Sequence, residues 1–331
     1  MNKDFSYYVE QFFSIYLPKT RNLSYNTICS YRDTIILLIN FFKEKNNISS
    51  NNINLSHLTL ENIEIYINWL KDTKKLKDSS INVRIAAVMT FVKYLQNKEL
   101  NYFNEFNRIL SIENKKVPKN TITYLSTDDI KKIMNTPNIK DKQEFRELVI
   151  LMFIYETGCR VQELCDLKFE SLNLKENPTV TLFGKGSKSR IVPINKELKN
   201  LLEKYIELYQ INNCNFLFKN KYGNKLTRQG IQYIFDKYSN IIINKENYIF
   251  PCNLTPHVFR HSKAMHLLEA EVNLIYIRDF LGHESITTTE IYAKTNPEIK
   301  RKELEKNKQK YNLDTYSDEQ KKQLEDWLKK I

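Results

Sequence analysis

The sequence predicts a two-domain chain, a small all-helical N-terminal domain followed by a mixed α+β domain carrying a β-hairpin. Three observations predict it. At 331 residues the chain exceeds one ordinary core and suits two domains of usual size. All six glycines (Gly158, Gly184, Gly186, Gly223, Gly230, Gly282) lie at or beyond residue 158. A glycine-free region with recurrent apolar positions therefore comes first, and it reads as helices joined by Asn-rich connections. Between the halves, residues 111–123 (SIENKKVPKNTIT) are polar, basic and interrupted by Pro118, the composition of a linker.

In the first domain, placed at residues 1–110, a helix is expected over Thr27 to Lys43, with Ile28, Tyr31, Ile35, Leu38, Ile39 and Phe42 on one stripe. A second runs from Thr59 to Leu70 through Ile63, Tyr66, Ile67 and Leu70. The third, Ser80 to Leu95, buries Ile81, Ile85, Val88, Val92 and Leu95. After the linker the second domain is placed at 124–300, and Ser126-Thr127-Asp128-Asp129 has the form of a capping box that opens a helix. Glu144 to Thr157 is an apolar helix stopped by Gly158. Thr179–Phe183 and Arg190–Ile194 are β-prone and flank Gly184-Lys-Gly-Ser-Lys-Ser189, which makes a hairpin. Helices follow at Lys196 to Tyr209 and Thr227 to Ile242. In the tail, 301–331, Ser317 and Gln320 form a second capping box, and Leu324, Trp327, Leu328 and Ile331 make a narrow apolar stripe.

The formal charge of +12 favours a polyanionic partner, although Lys- and Asn-rich usage also follows from AT-rich coding DNA. Cys29, Cys159, Cys165, Cys214 and Cys252 show no CxxC pair and read as reduced thiols of a cytoplasmic protein. The N-terminus lacks the pattern of a signal peptide. The longest apolar stretch, Thr34 to Phe42, is too short to span a bilayer.

Four short stretches carry chemistry: Thr157-Gly158-Cys159-Arg160-Val161-Gln162-Glu163-Leu164, Gly184-Lys185-Gly186-Ser187-Lys188-Ser189-Arg190, His257-Val258-Phe259-Arg260-His261, and Leu281-Gly282-His283 with Tyr292 nine positions on. Phosphodiester transfer without a metal needs cations for the nonbridging oxygens, a nucleophile, and proton donors and acceptors. Arg160 and Arg260 suit the first task, because guanidinium forks grip phosphate in bidentate fashion and stay charged. A tyrosine attacks only where positive charge or a base helps remove its proton. Singly, each stretch is bland. TGxR is an ordinary helix end, and GKGSK lacks the spacing of a phosphate-binding P-loop. His257 and His261 at i, i+4 have no third metal ligand nearby, and Tyr292 is one of 20 tyrosines.

Together and in this order, the stretches resemble the tyrosine recombinase (phage integrase) family, most specifically over His257 to Lys294. YNTICSYRDTIILLINFF and SSINVRIAAVMTFVKYL are also similar, less closely, to the family's helical core-binding domain. The resemblance implies a mainly α chain with the DNA breaking-rejoining fold, an all-helical core-binding domain and an α+β catalytic domain with a small antiparallel sheet. It implies a site-specific recombinase in which Tyr292 forms a 3′-phosphotyrosyl bond. Arg160, Arg260 and His283 would bind the phosphate, Lys185 would protonate the leaving 5′ oxygen, His257 would assist as base, and Glu163 would orient its neighbours. Asn82, Arg84, Lys188 and Arg190 are candidate DNA contacts. No metal or other cofactor is expected.

The implied partner is double-stranded DNA with inverted-repeat core sites, bound by a homotetramer that is monomeric or weakly associated when free, with the tail helix passed to a neighbouring subunit. Integration, excision, inversion and resolution all fit. Gln162, Phe259, Lys263 and Ala264 depart from the commonest family residues without removing a reactive group. The competing readings are a type IB topoisomerase, a non-catalytic DNA-binding regulator on the same scaffold, which should lack a reactive residue, and a metal-dependent nuclease, which should carry carboxylates near the histidines.

Overall fold

The computed structural model describes residues 4–117, 123–184, 188–212, 216–220, 222–282 and 318–330. The chain divides into two compact units, Met1–Asn120 and Thr121–Ile331. It is mostly helical with one small antiparallel sheet, the fold class expected.

The N-terminal unit opens with α1 (Phe5–Gln11), capped by the Asp4 carboxylate on the Tyr7 amide, which runs on as a π-helical stretch, Phe12–Thr20. Phe12 and Leu17 are its buried residues. They lie five apart, the hydrogen-bond step of a π-helix, so a search at helical period 3.6 passes over them. Next come α2 (Tyr25–Asn46), α3 (Leu60–Asp72), α4 (Asp78–Gln96) and α5 (Phe103–Leu110). Ser24 and Thr59 supply side-chain N-caps to α2 and α3. The stripes expected on α3 and α4 are buried as read. That of α2 is rotated, since Phe41 is fully buried while Ile28, Tyr31 and Ile39 are only half-buried. The reason is aromatic packing: Phe41 meets Tyr66 and Trp69 of α3 edge-on, at ring centroid distances of 5.5 and 5.8 Å.

The second unit begins with α6 (Thr127–Asn135), whose capping box is formed by Ser126 and Asp129 as the sequence indicates. α7 (Lys142–Thr157) is capped by Asp141 and ends at Gly158, which is left-handed at φ 55°. The short α8 (Val161–Cys165) follows, then β1 (Leu172–Asn173), β2 (Thr179–Phe183) and β3 (Ser189–Pro193), in the order β1-β2-β3. The two-residue β1 is too short to show alternation and was not predicted. β2 and β3 pair from Thr179↔Pro193 to Phe183↔Ser189, which makes Leu182 and Arg190 partners. α9 (Lys196–Tyr209), α10 (Arg228–Glu246), α11 (Pro256–Glu269) and α12 (Leu274–Leu281) follow. α7 packs against both α9 and α11, and α12 against α11 and β3. Phe259, where leucine is more familiar, is fully buried and meets Phe235 edge-on at 4.6 Å.

A terminal helix, α13 (Asp318–Leu328), leaves Leu324, Trp327 and Leu328 exposed. Its expected cap Ser317 and the stripe residue Ile331 lie outside the described residues. So do Lys185, which lies between β2 and β3 in the sequence, His283, Tyr292, and residues 118–122 of the expected linker. The earlier part of that linker is held down, because Asn82 donates to the Lys115 carbonyl at 2.8 Å and accepts from its amide at 2.9 Å. Among the described residues no helix is long and apolar enough to cross a membrane.

Candidate active site

The site is assembled where the turn after α7 meets the C-terminal end of α12. Gly158 is left-handed, and a Cβ there would come within 2.9 Å of Leu281 Cδ2. Only glycine supplies both the positive φ and the missing atom. Two residues later Arg160 takes an extended conformation (φ −73°, ψ 149°) as the N-cap of α8, where its amide donates to Glu163 Oε2 at 2.8 Å. The turn thus projects the Arg160 side chain outward, 42% exposed.

Arg260 arrives from α11, about a hundred residues on in the chain. It is nearly buried, and it donates from Nη1 to the Gly158 carbonyl at 2.6 Å and from Nη2 to the Leu281 carbonyl at 2.7 Å. Arg160 reaches the same helix end, with Nη2 on the Gly282 carbonyl at 2.8 Å, while its Nη1 meets Glu163 Oε1 at 2.9 Å. Arg160, Arg260 and His257 share an open cleft of about 860 Å³, with Arg228, Gln232 and Thr255 on its walls. Among these residues the side-chain charge is strongly positive, which suits a phosphodiester.

Glu163 is buried between two guanidiniums. Arg190 of β3 grips both of its oxygens at 2.8 Å, and Arg160 holds it from the other side. Burial alone would raise the Glu163 carboxyl, but the Arg190 fork, its charge and the Arg160 donors outweigh burial and hold the group below the usual carboxylate range.

His257 Nε2 lies 2.7 Å from His261 Nε2, with ring centroids 4.0 Å apart, so one ring donates its proton to the other's lone pair. Burial, then the Arg260 charge, lowers the His257 pKa from its ordinary 6.5. The folded chain therefore favours neutral imidazole. A base that must be unprotonated remains so until the pH falls below the ordinary value. For a base role of His257, the acid limb of kcat/KM for DNA cleavage should lie below pH 6.5 and should disappear in His257→Asn; an acid limb above 6.5 would count against it.

The structure brings Arg160, His257 and Arg260 together. Lys185, His283 and Tyr292 lie outside the described residues, although α12 ends two residues before His283. Lys188 is exposed at the hairpin, its carbonyl accepting from Gly184 at 2.7 Å. Arg84, in the N-terminal unit, donates to the Ser30 carbonyl and the Thr34 hydroxyl at 3.0 and 3.1 Å. A DNA contact by Arg84 or Asn82 would compete with these intramolecular partners. Sequence reasoning did not anticipate Arg228, whose Nε donates to Gln162 Oε1 at 2.8 Å. The unusual Gln162 thus braces a cleft arginine. Lys263, another of the departures, pairs with Glu156 at 2.9 Å over the Tyr155 ring.

The family model "Phage integrase family" matches residues 123–298, and "Phage integrase, N-terminal SAM-like domain" matches residues 9–99. Tyrosine recombinase XerC of Rickettsia canadensis is 33% identical over 290 residues, covering 85% of this chain and 90% of that protein. Tyrosine recombinase XerA of Pyrococcus horikoshii is 33% identical over 248 residues, 72% of this chain and 79% of its own. Among solved structures, the Tn1549 transposon integrase in complex with transposon right-end DNA aligns with a TM-score of 0.68 at 18% identity, covering 90% of this chain and 97% of that one. The XerH site-specific recombinase bound to its difH substrate aligns at 0.65 and 21%, covering 83% and 79%. At those identities the structural likeness is one of fold.

Proposed function

The chain belongs to the phage integrase family of tyrosine recombinases, and from that premise we propose that it exchanges DNA strands through a 3′-phosphotyrosyl intermediate on Tyr292. The observation that carries the reading is the convergence of Arg160, Arg260 and His257 on one cleft at the end of α12, with Tyr292 eleven residues beyond Leu281 in the sequence. The Tyr292 oxygen attacks the scissile phosphorus and its proton passes to His257. The bond from phosphorus to the 5′ oxygen breaks, and Lys185 protonates the departing oxygen. Arg160, Arg260 and His283 carry the charge that builds on the nonbridging oxygens. Attack by a 5′ hydroxyl from the exchanging strand reverses the step. The bond energy is conserved in the phosphotyrosine, so no nucleotide is consumed.

Incubation with a duplex nicked close to the scissile phosphate tests the reading. Loss of the short 5′-hydroxyl fragment should trap a covalent protein–DNA species in excess EDTA and without ATP. Activity that vanishes in EDTA and returns only with a divalent metal would favour a nuclease mechanism.

The partner we propose is duplex DNA with inverted core sites, bound by four protomers. Net charge of +12 supports a binding affinity that falls steeply with salt. The exposed apolar side chains of α13, with Trp327 58% and Leu328 57% accessible, support docking of this helix on a neighbouring protomer. A helix this short is marginal without a packing surface. Trp327→Ala should leave single-site binding intact while weakening pairing of adjacent protomers in gel-shift titrations. Loss of a docked aromatic is worth about 3–5 kcal/mol, so undiminished pairing would sink the docking proposal.

A further inference from the structure

Three consecutive carbonyls at the end of α12 each accept from a different arginine. Phe280 accepts from Arg190 Nε at 2.9 Å, Leu281 from Arg260 Nη2 at 2.7 Å and Gly282 from Arg160 Nη2 at 2.8 Å. A helix C-terminus carries partial negative charge and orphan carbonyls, so the three cations satisfy it twice over. Arg190 differs from the other two. Its side chain is only 12% exposed, and it is absent from the walls of the cleft. Its Nη1 and Nη2 go to the two Glu163 oxygens, so every guanidinium nitrogen donates within the protein. Those same Glu163 oxygens hold the Arg160 amide and Nη1.

We propose that Arg190 is a positioning residue for cleavage, tying the fork of Arg160 and the end of α12 to one carboxylate so that both keep a fixed register. The inference rests on the proposed function, in which Arg160 binds the scissile phosphate. It replaces the expectation that Arg190 contacts DNA, because a phosphate would have to displace Glu163 or Phe280. The task needs a planar fork. Two donors span the carboxylate while Nε reaches sideways to a carbonyl, and a lysine ammonium cannot meet both demands at once. Shape supports the same contact, since a Cβ on Gly282 would lie 2.9 Å from both Cδ and Nη1 of Arg190. The helix end therefore abuts the arginine with no room between them.

Arg190→Lys and Arg190→Gln separate the two roles. For a positioning residue, both variants bind duplex DNA with wild-type affinity and salt dependence, and both cleave the nicked substrate about 100-fold more slowly, the scale of a displacement near 1 Å at a reacting centre. Retained charge in the lysine variant gives no rescue. Near-normal cleavage by Arg190→Lys would overturn the proposal. So would weakened binding with a salt slope reduced by about one, the mark of a lost phosphate contact. Amide hydrogen exchange judges the geometry independently of activity. The last turn of α12 should lose protection in both variants while α9 keeps its own, and unchanged protection would overturn the proposal even if cleavage fell. A wild-type chain that never becomes covalently attached would instead strike at the functional reading, with exchange still deciding the tie. Should the Arg190 variants melt below assay temperature, Gly282→Ala disturbs the contact with every charge in place. It should lower cleavage while sparing affinity, and wild-type cleavage there would overturn the proposal.

Discussion

Tyr292→Phe should bind target DNA as the parent does and form no covalent species on a nicked substrate. The change removes one oxygen and leaves the ring, so packing and charge around the site are retained. Loss of a covalent nucleophile in enzymes of comparable logic costs on the order of 10⁶ in rate, far beyond the range of a trapping gel. The arginines proposed to hold the phosphate remain in place. Binding and cleavage should therefore separate cleanly. Covalent trapping by the variant at any appreciable rate would assign the nucleophile elsewhere among the 20 tyrosines.

Glu163→Gln should strongly destabilise the second unit. The carboxylate is 3% exposed and is the sole anionic partner shown for the Arg190 fork. Breaking a buried ion pair from one side typically costs about 3–5 kcal/mol, because the remaining charge is left uncompensated. For a unit of this size, that lowers the melting temperature by roughly 10 °C. The sign of the pH dependence follows from the depressed pKa. The carboxylate contributes fully above its ordinary 4.5 and loses its contribution as the pH falls through the lower folded value. The gap between wild type and variant should therefore be wide at neutral pH and close in acid. Paired replacement by Glu163→Leu with Arg190→Met should lose less than Glu163→Gln alone. Thermal melts of the three variants across pH would check this, and equal gaps at pH 7 and in acid would refute the assignment.

Much of this fold was legible because its signals are local. The Ser126 and Asp129 box, the stop at Gly158 and the Gly-containing hairpin each lie within a few residues. Where several neighbours compete, the reading slipped. The α2 stripe turned toward Phe41 to meet α3 aromatics, and the π-helical stretch has no 3.6-residue repeat to find. At the site, Arg160 and Arg260 could be named from their motifs, but two of the carbonyls that hold them, Leu281 and Gly282, lie at the end of α12, and only folding supplies that contact. Arg190 was expected as a DNA contact, although the strand carries a signal for another role. It shares a face of β3 with the buried Val192, the exposed Ile191 standing between them, and pairs with the buried Leu182, so it lies on the inward face of the strand. An inward arginine calls for a buried partner, and Glu163 is that partner.

The seam between Gly158 and Gly282 sets a limit on how this chain can drift. Its composition leans to Lys, Asn and Ile and retains six glycines in 331 residues, yet two of them border the same few ångströms of the site. Both are left-handed, and an added methyl at either would meet side-chain atoms at 2.9 Å: Leu281 at one, Arg190 at the other. Neighbouring charges could be exchanged or compensated over successive substitutions. No single replacement at 158 or 282 is without a collision, so the most constrained part of this site is the space that two missing side chains leave empty.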